Sequence, residues 1–175
     1  DEPLQQALKR AAGVFDRARA TATDGAAPIA LRVAALPLLG RGLGRQTEDL
    51  QALLALLAPQ SPVELQLAAV GAIGLLNLAP IPERLLAGWD GYGPKVRAGV
   101  LDLLVSRPAW ANALLDRIES DRALLSQIDT AHRATLLHHS SSNVSLRATR
   151  VLDSGVDQNR QKIIDEYLAA MRPLQ

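Results

Sequence analysis

Cysteine is absent from the 175 residues. That removes disulfides, zinc–thiolate and iron–sulfur sites and thiol nucleophiles together, and leaves the redox compartment unreadable. Aromatic residues are few, five in all, and strand-favouring types are thin, with 10 Val, 7 Ile and 6 Thr. No apolar run reaches the ~18 residues of a membrane span. The longest candidate, Leu67 to Ile81, is broken by Asn77 and Pro80. Neither sign of charge dominates, the formal net charge being +1. A basic stripe of the kind that tracks nucleic acid is missing, since 16 Arg are spread thinly among acids. The chain opens on Asp1 without a charged, apolar, small-residue leader, so we expect a piece of a longer protein.

What is present is Leu and Ala, 32 and 29 residues. Both lose little conformational freedom in a helix, so the composition predicts an all-α protein with one core-bearing domain. Charge drifts along the chain, from +3 over residues 1–45 to −4 over 46–90 and +1 in each of the last two quarters.

Periodicity predicts about ten helices. Leu4, Leu8, Ala11, Phe15 and Ala18 form one stripe, flanked by Lys9, Arg10, Arg17 and Arg19 as solvated positions. After Thr23-Asp24-Gly25, Pro28 suits the first turn of a second helix through Leu31, Ala34, Ala35, Leu38 and Leu39, kinked at Pro37. Thr47, Glu48 and Asp49 read as a helix start before Leu50, Leu53, Leu54 and Leu57. Ser61 is expected to cap, and Pro62 to open, a helix apolar on most faces and therefore sandwiched. Later helices carry Leu85, Leu86 and Trp89; Val96, Val100 and Leu104; Trp110, Leu114 and Ile118; then Leu124 to Ile128. Thr130 is expected to cap a short helix to His138, Ser140 to Asn143 to open another through Val151, and Asp157 to cap a last one through Met171.

Four segments align without gaps: Leu31-Arg32-Val33-Ala34-Ala35, Leu65-Gln66-Leu67-Ala68-Ala69, Val96-Arg97-Ala98-Gly99-Val100 and Leu146-Arg147-Ala148-Thr149-Arg150. The polar second positions lie 34, 31 and 50 apart, and an extra helix, Trp110 to Ile118, fills the long interval. Each segment reads aliphatic, long polar, small, as close contact between stacked helices requires. This pattern resembles the HEAT-repeat family. The resemblance implies a right-handed α-α superhelix with repeats over about 4–40, 47–77, 82–107 and 109–153, and a terminal cap over 157–172.

Trp89, Val96-Arg97, Leu103-Leu104-Val105-Ser106-Arg107-Pro108-Ala109-Trp110, Leu114-Leu115 and the later His132-Arg133, Leu136-Leu137-His138-His139 and Leu146-Arg147-Ala148 carry a second resemblance. They are similar to the helical segment of large planctomycete and verrucomicrobial membrane-bound dehydrogenase-type proteins. In those, helices stand between a sugar-dehydrogenase-like β-propeller and a c-type cytochrome domain. The resemblance implies an extracytoplasmic setting and flanking domains as partners. Haem attachment needs Cys-x-x-Cys-His, so no cofactor carries over to this cysteine-free chain.

Catalytic signals are absent. No Gly-x-Ser-x-Gly occurs, the acids Glu48-Asp49 and Asp165-Glu166 fall at helix starts or solvated positions, and His132, His138 and His139 lack metal-ligand spacing with a carboxylate partner. They read as surface or turn-capping histidines. Gly40-Arg41-Gly42-Leu43-Gly44 with Arg45 is Gly-rich enough to cradle an anion, but reads first as an interhelical turn. Trp89, Tyr92 and Trp110 are three of the five aromatics, and with Arg107 they are the candidate partner-binding residues if exposed, or packing residues if buried. Arg32, Arg97 and Arg147 are expected to ladder with turn acids such as Asp24 and Asp90, interrupted at Gln66.

The sequence therefore predicts a non-catalytic, monomeric scaffold or protein-interaction module without cofactor, metal or membrane insertion. An integral part of a sugar-dehydrogenase or electron-transfer assembly is the alternative, and a nucleic-acid-binding HEAT protein the second.

Overall fold

A computed structural model describes residues 2–42 and 44–152, with the side chains of 2–9 and 11 left aside. Leu4, Leu8 and Ala11 of the first stripe, Leu43, and the expected cap over 157–172 fall outside that description. Among the described residues there is no strand. The helices are α1 (Glu2–Thr23), α2 (Ile29–Ala35), α3 (Gln46–Ala55), α4 (Val63–Gly74), α5 (Ile81–Ala87), α6 (Pro94–Leu104), α7 (Pro108–Ser120) and α8 (Thr130–Leu137). A ninth, α9, covers residues 142–152. Three 3₁₀ segments, Leu36–Leu38, Trp89–Gly91 and Arg122–Gln127, continue or connect them. None of these helices is long and apolar enough to cross a membrane.

The chain divides into two compact units, Asp1–Leu103 and Leu104–Gln175. In the first, α1 packs on α2 and its 3₁₀ extension, and α4 packs on α2 and α3. Pro37 forces the tightening at Leu36–Leu38, because its ring cannot continue an α-helical ladder. The core here is Leu36, Leu39, Leu50, Leu53, Leu57, Leu65, Ile73, Leu76, Ile81 and Leu85, all nearly inaccessible. Each such Leu contributes about 1.5–3 kcal/mol on burial. Helix α4 is not enclosed all round as its composition suggested. Val63, Leu67 and Leu75 stay exposed while Leu65, Ala69, Val70 and Ile73 are buried, so it has an inner and an outer face. In the second unit, Trp110, Ala111, Leu114, Leu115 and Ile118 of α7 are buried, together with Leu124, Ile128, Leu136, Val144, Ala148 and Val151.

Helix starts fall one residue from expectation. Pro62 is itself the N-cap, with ψ of 139° and its carbonyl accepting from Leu65 and Gln66, and Pro28 does the same for α2. At α8 the cap is Asp129 rather than Thr130, because a carboxylate accepts the free amides of the first turn better than a hydroxyl.

A recurring contact replaces the expected arginine–acid ladder. Arg32, Gln66, Arg97 and Arg133 are each the fourth residue of their helix, and the backbone N–H of each bonds the carbonyl of the residue just before the helix. Side chains lean towards the helix N-terminus, so a long one at this position reaches back over the preceding segment. Arg32 Nε donates to Ala22 O (3.1 Å), and Gln66 Nε2 to Leu57 O and Ala58 O (3.1 and 2.7 Å). Arg97 donates to Trp89 O and Asp90 O (both 3.3 Å), and Arg133 to Ile128 O and Leu125 O (2.9 and 2.6 Å). The acceptors are carbonyls at or just beyond the ends of the preceding helices, where the regular ladder runs out; those of Ala58, Trp89 and Leu125 also accept a turn N–H, from Ser61, Tyr92 and Ile128. Carbonyls need a donor rather than a charge, so Gln66 serves as well as arginine and interrupts nothing.

The register also corrects the alignment. Three residues after each of these four comes a buried apolar position: Ala35, Ala69, Val100 and Leu136. Three after Arg147 comes Arg150, which is exposed, and Arg147 is the sixth residue of its helix. Arg133 is the fourth member, with spacings of 34, 31 and 36. The helix with Trp110 is then no insertion out of register. It belongs, with the 3₁₀ segment Arg122–Gln127, to the element preceding α8. The Leu-Arg-Ala wording at Leu146 matched, but its burial phase does not.

Candidate functional site

The four candidate partner-binding residues form two local pairs, each within its own unit. In the first unit Trp89 opens the 3₁₀ turn after α5 and is 4% exposed, with the Arg97 guanidinium 5.5 Å from its ring centroid. Tyr92 is 8% exposed, and burial pushes its phenol above the usual value. In the second unit Trp110, 5% exposed, carries the Arg107 guanidinium at 4.3 Å. Arg107 precedes Pro108, which opens α7, so the helix start itself sets the guanidinium over the indole three residues on. The three aromatics are thus buried, and a guanidinium lies over the ring face of each tryptophan.

The Gly-rich loop before α3 already holds an anion, supplied by the chain. Asp49, 1% exposed, lies in the first turn of α3, at the helix start as expected but buried rather than solvated. Its Oδ2 accepts the Gly40 amide at 2.7 Å and its Oδ1 the Nε of Arg19. Arg19, expected as solvated, is mostly covered and also binds Asp16 at 2.9 Å. Both carboxylates hold its guanidinium above the ordinary range, Asp49 through its hydrogen bond foremost. Gln46 Nε2 donates to Gly40 O (3.1 Å), and Arg45 reaches Asp16 (3.0 Å) and Glu48. Gly40 needs its residue type, since φ is +79° and a Cβ would run into Leu76. No sequence signal distinguished Asp49 from Glu48. Only the loop's return towards α1 selects it.

His132 is buried and not a surface residue. Its backbone N–H donates to Asp129 Oδ1 (3.0 Å), and its Nδ1 lies 2.6 Å from Oδ2. These contacts, the backbone one first, hold the Asp129 carboxyl below its ordinary value. His139 Nδ1 accepts the Ser141 amide (3.0 Å), while His138 is exposed. No group of three or more His, Asp or Glu among the described residues is arranged to hold a metal.

The polar arrangement that sequence reading missed lies in the second unit. Asn112, Asp116 and Glu119 recur at i, i+4 and i+7 on α7, and Asn143, Arg147 and Arg150 at the same spacing on α9. Such spacing puts each trio on one stripe of its helix. Arg147 bonds Asp116, Glu119 (2.6 Å) and the carbonyl and side chain of Asn112 (3.4 Å each). The two carboxylates, Asp116 foremost, raise its pKa. Arg122 donates to Val151 O at 2.7 Å. An open cleft of 230 Å³ is lined by Glu119, Arg122, Asn143, Arg147, Arg150 and Val151. The equal spacing of the trios was legible in the sequence, but only knowledge that α7 and α9 meet would have drawn attention to it.

In comparisons with known proteins, the chain matches no family model, no curated protein and no solved structure.

Proposed function

We propose that the chain is a non-catalytic helical-repeat scaffold of HEAT-like, right-handed superhelical type, acting by geometry on flanking domains or a partner protein. The observation that carries this reading is the reach-back contact at Arg32, Gln66, Arg97 and Arg133. At intervals of 31 to 36 residues, each helix is tied to the end of the segment before it. Such ties favour a stiff chain of local helix pairs, the arrangement that repeat proteins use to hold extended surfaces. The aromatics Trp89, Tyr92 and Trp110 add stiffness from within. We further propose, from the resemblance in residues 62–172 alone, that the parent protein sets this spacer between a dehydrogenase-like propeller and a c-type cytochrome domain, outside the cytoplasm.

The parent protein provides the test. This segment has no cysteine, so spin labels on cysteines introduced in the two flanking domains report their separation without background from it. A narrow distance distribution is expected, and a broad one, as for a flexible linker, overturns the spacer reading. A parent reading frame with neither propeller nor Cys-x-x-Cys-His overturns the dehydrogenase linkage. Sugar oxidation by purified 1–175 overturns the non-catalytic assignment.

A further inference from the structure

We infer that the turn between α1 and α2 is a self-modification site, at which Asp24 and Gly25 rearrange to an isoaspartyl linkage. The chain has two Asp-Gly pairs, Asp24-Gly25 before α2 and Asp90-Gly91 before α6, and all four residues are exposed. Glycine lacks the Cβ that would hinder its nitrogen from approaching the preceding carboxyl. By sequence the two pairs are equivalent, and the fold separates them. Gly91 N–H donates to Gly88 O (3.0 Å) inside the 3₁₀ segment Trp89–Gly91, and the Asp90 carbonyl accepts from Arg97 (3.3 Å). In the other turn the main-chain bonds pass Gly25 by. Asp24 N–H donates to Ala20 O (3.0 Å) and Ala27 N–H to Asp24 O (3.2 Å), while Gly25 N–H meets no acceptor among the described residues. The Asp24 carboxylate is folded back over the Gly25 peptide, since its Oδ1 accepts Ala26 N–H at 2.9 Å. A free, exposed nitrogen thus lies within the loop that its own electrophile closes.

The rearrangement balances with water alone. Gly25 N bonds to Asp24 Cγ, and one carboxyl oxygen leaves as water, taking the amide proton and one proton from solvent. The product is a five-membered succinimide. Water then adds to the former main-chain carbonyl carbon of Asp24, and the bond from that carbon to Gly25 N breaks. One proton of that water returns to the nitrogen and the other goes to solvent. Nothing is oxidised or reduced. The main chain now runs through the former side chain, one carbon longer, and a free carboxylate stands at the old carbonyl position. The added carbon falls between Ala22 and Arg32, whose contact ties α2 to α1.

The experiment holds the full chain at pH 6 and 37 °C, folded and in parallel in 8 M urea. Isoaspartate at each pair is counted by proteolysis and fragment mass spectrometry. In the folded chain it should form about fivefold faster at Asp24 than at Asp90, the factor for first giving up one hydrogen bond. In urea the two rates should converge, because both nitrogens are then free. Gly25→Ala should slow the reaction at Asp24 at least about threefold, by placing a Cβ beside the attacking nitrogen. That variant keeps the fold, since a Cβ there meets nothing within 4 Å and φ is not positive. Equal rates at the two pairs in the folded chain overturn the inference. So does a ratio in urea as large as in the folded chain, which would make sequence the cause and not the turn. An unchanged rate in Gly25→Ala also overturns it. None of these outcomes bears on the spin-label distances, so modification site and spacer fail separately.

Discussion

Arg19 and Asp49, 30 residues apart, form a covered ion pair that ties α1 to the start of α3. The same carboxylate fixes the Gly40 amide, so a single side chain joins two helices and the loop between α2 and α3. Removing it strands a mostly covered guanidinium and a buried N–H. Asp49→Ala should lower unfolding free energy by about 3 kcal/mol, since breaking a buried pair leaves an uncompensated charge. Asp16 remains as a second partner for Arg19, which keeps the loss at the lower end. Urea unfolding measures it. A loss under about 0.5 kcal/mol, the scale of an ordinary surface substitution, would show that the pair is not structural.

Gly40 should resist substitution for two separable reasons. Alanine there meets the cost of a left-handed backbone, about 1–3 kcal/mol, and a collision with Leu76. Gly40→Ala is expected to destabilise by more than the backbone cost alone. Combining it with Leu76→Ala should cost less than the sum of the single changes, because the cavity removes the collision and leaves the strain. Strict additivity in thermal or urea unfolding would contradict the contact.

The reach-back register makes Arg133 structural and Arg150 dispensable for stability. Arg133→Met should cost about 1–2 kcal/mol, by taking the guanidinium from the part-buried Ile128 carbonyl and from the Leu125 carbonyl, which keeps the Ile128 N–H. Gln66→Leu should cost about as much through Leu57 and Ala58. Arg150→Met should stay within about 0.5 kcal/mol. A reversed order between Arg133→Met and Arg150→Met would contradict the structural role given to Arg133.

Asp129 gives the chain an acid-sensitive helix start. Its folded pKa lies below the unfolded value of about 3.9. The stabilisation is therefore fully present above that unfolded value and is lost as pH falls through the folded pKa. Asp129→Ala should remove about 1 kcal/mol at neutral pH, as for other N-caps. Its deficit against the parent chain should shrink on acidification below about pH 4. Unfolding curves at pH 2.5 to 7 test this, and a deficit that grows towards low pH would reverse the sign.

Much of the helical architecture was legible because it follows from local chemistry. Ala and Leu abundance, prolines at the starts of α2, α4 and α7, and the stripe Trp110-Leu114-Ile118 each act within one or two turns of chain. The candidate sites were less legible. Asp49 and Glu48 are neighbours of the same chemical class, yet one is buried and the other exposed, decided by where the Gly40 loop folds back. Asp129 was overlooked as the partner of His132 because the hydroxyl next to it satisfied the same capping pattern.

The sequence by itself determined that this is a cysteine-free, all-helical chain punctuated by Pro and Gly, because propensity and breaker residues act locally. Tertiary structure alone decided which long polar side chain belongs to the recurring set. Arg133 and Arg147 sit in nearly the same words, His-Arg-Ala-Thr and Leu-Arg-Ala-Thr. Only the phase of burial around the helix separates them: one leans back onto carbonyls, and the other crosses to the acids of α7. That choice depends on which helix lies opposite, a fact fixed by packing between distant segments and absent from either tetrapeptide.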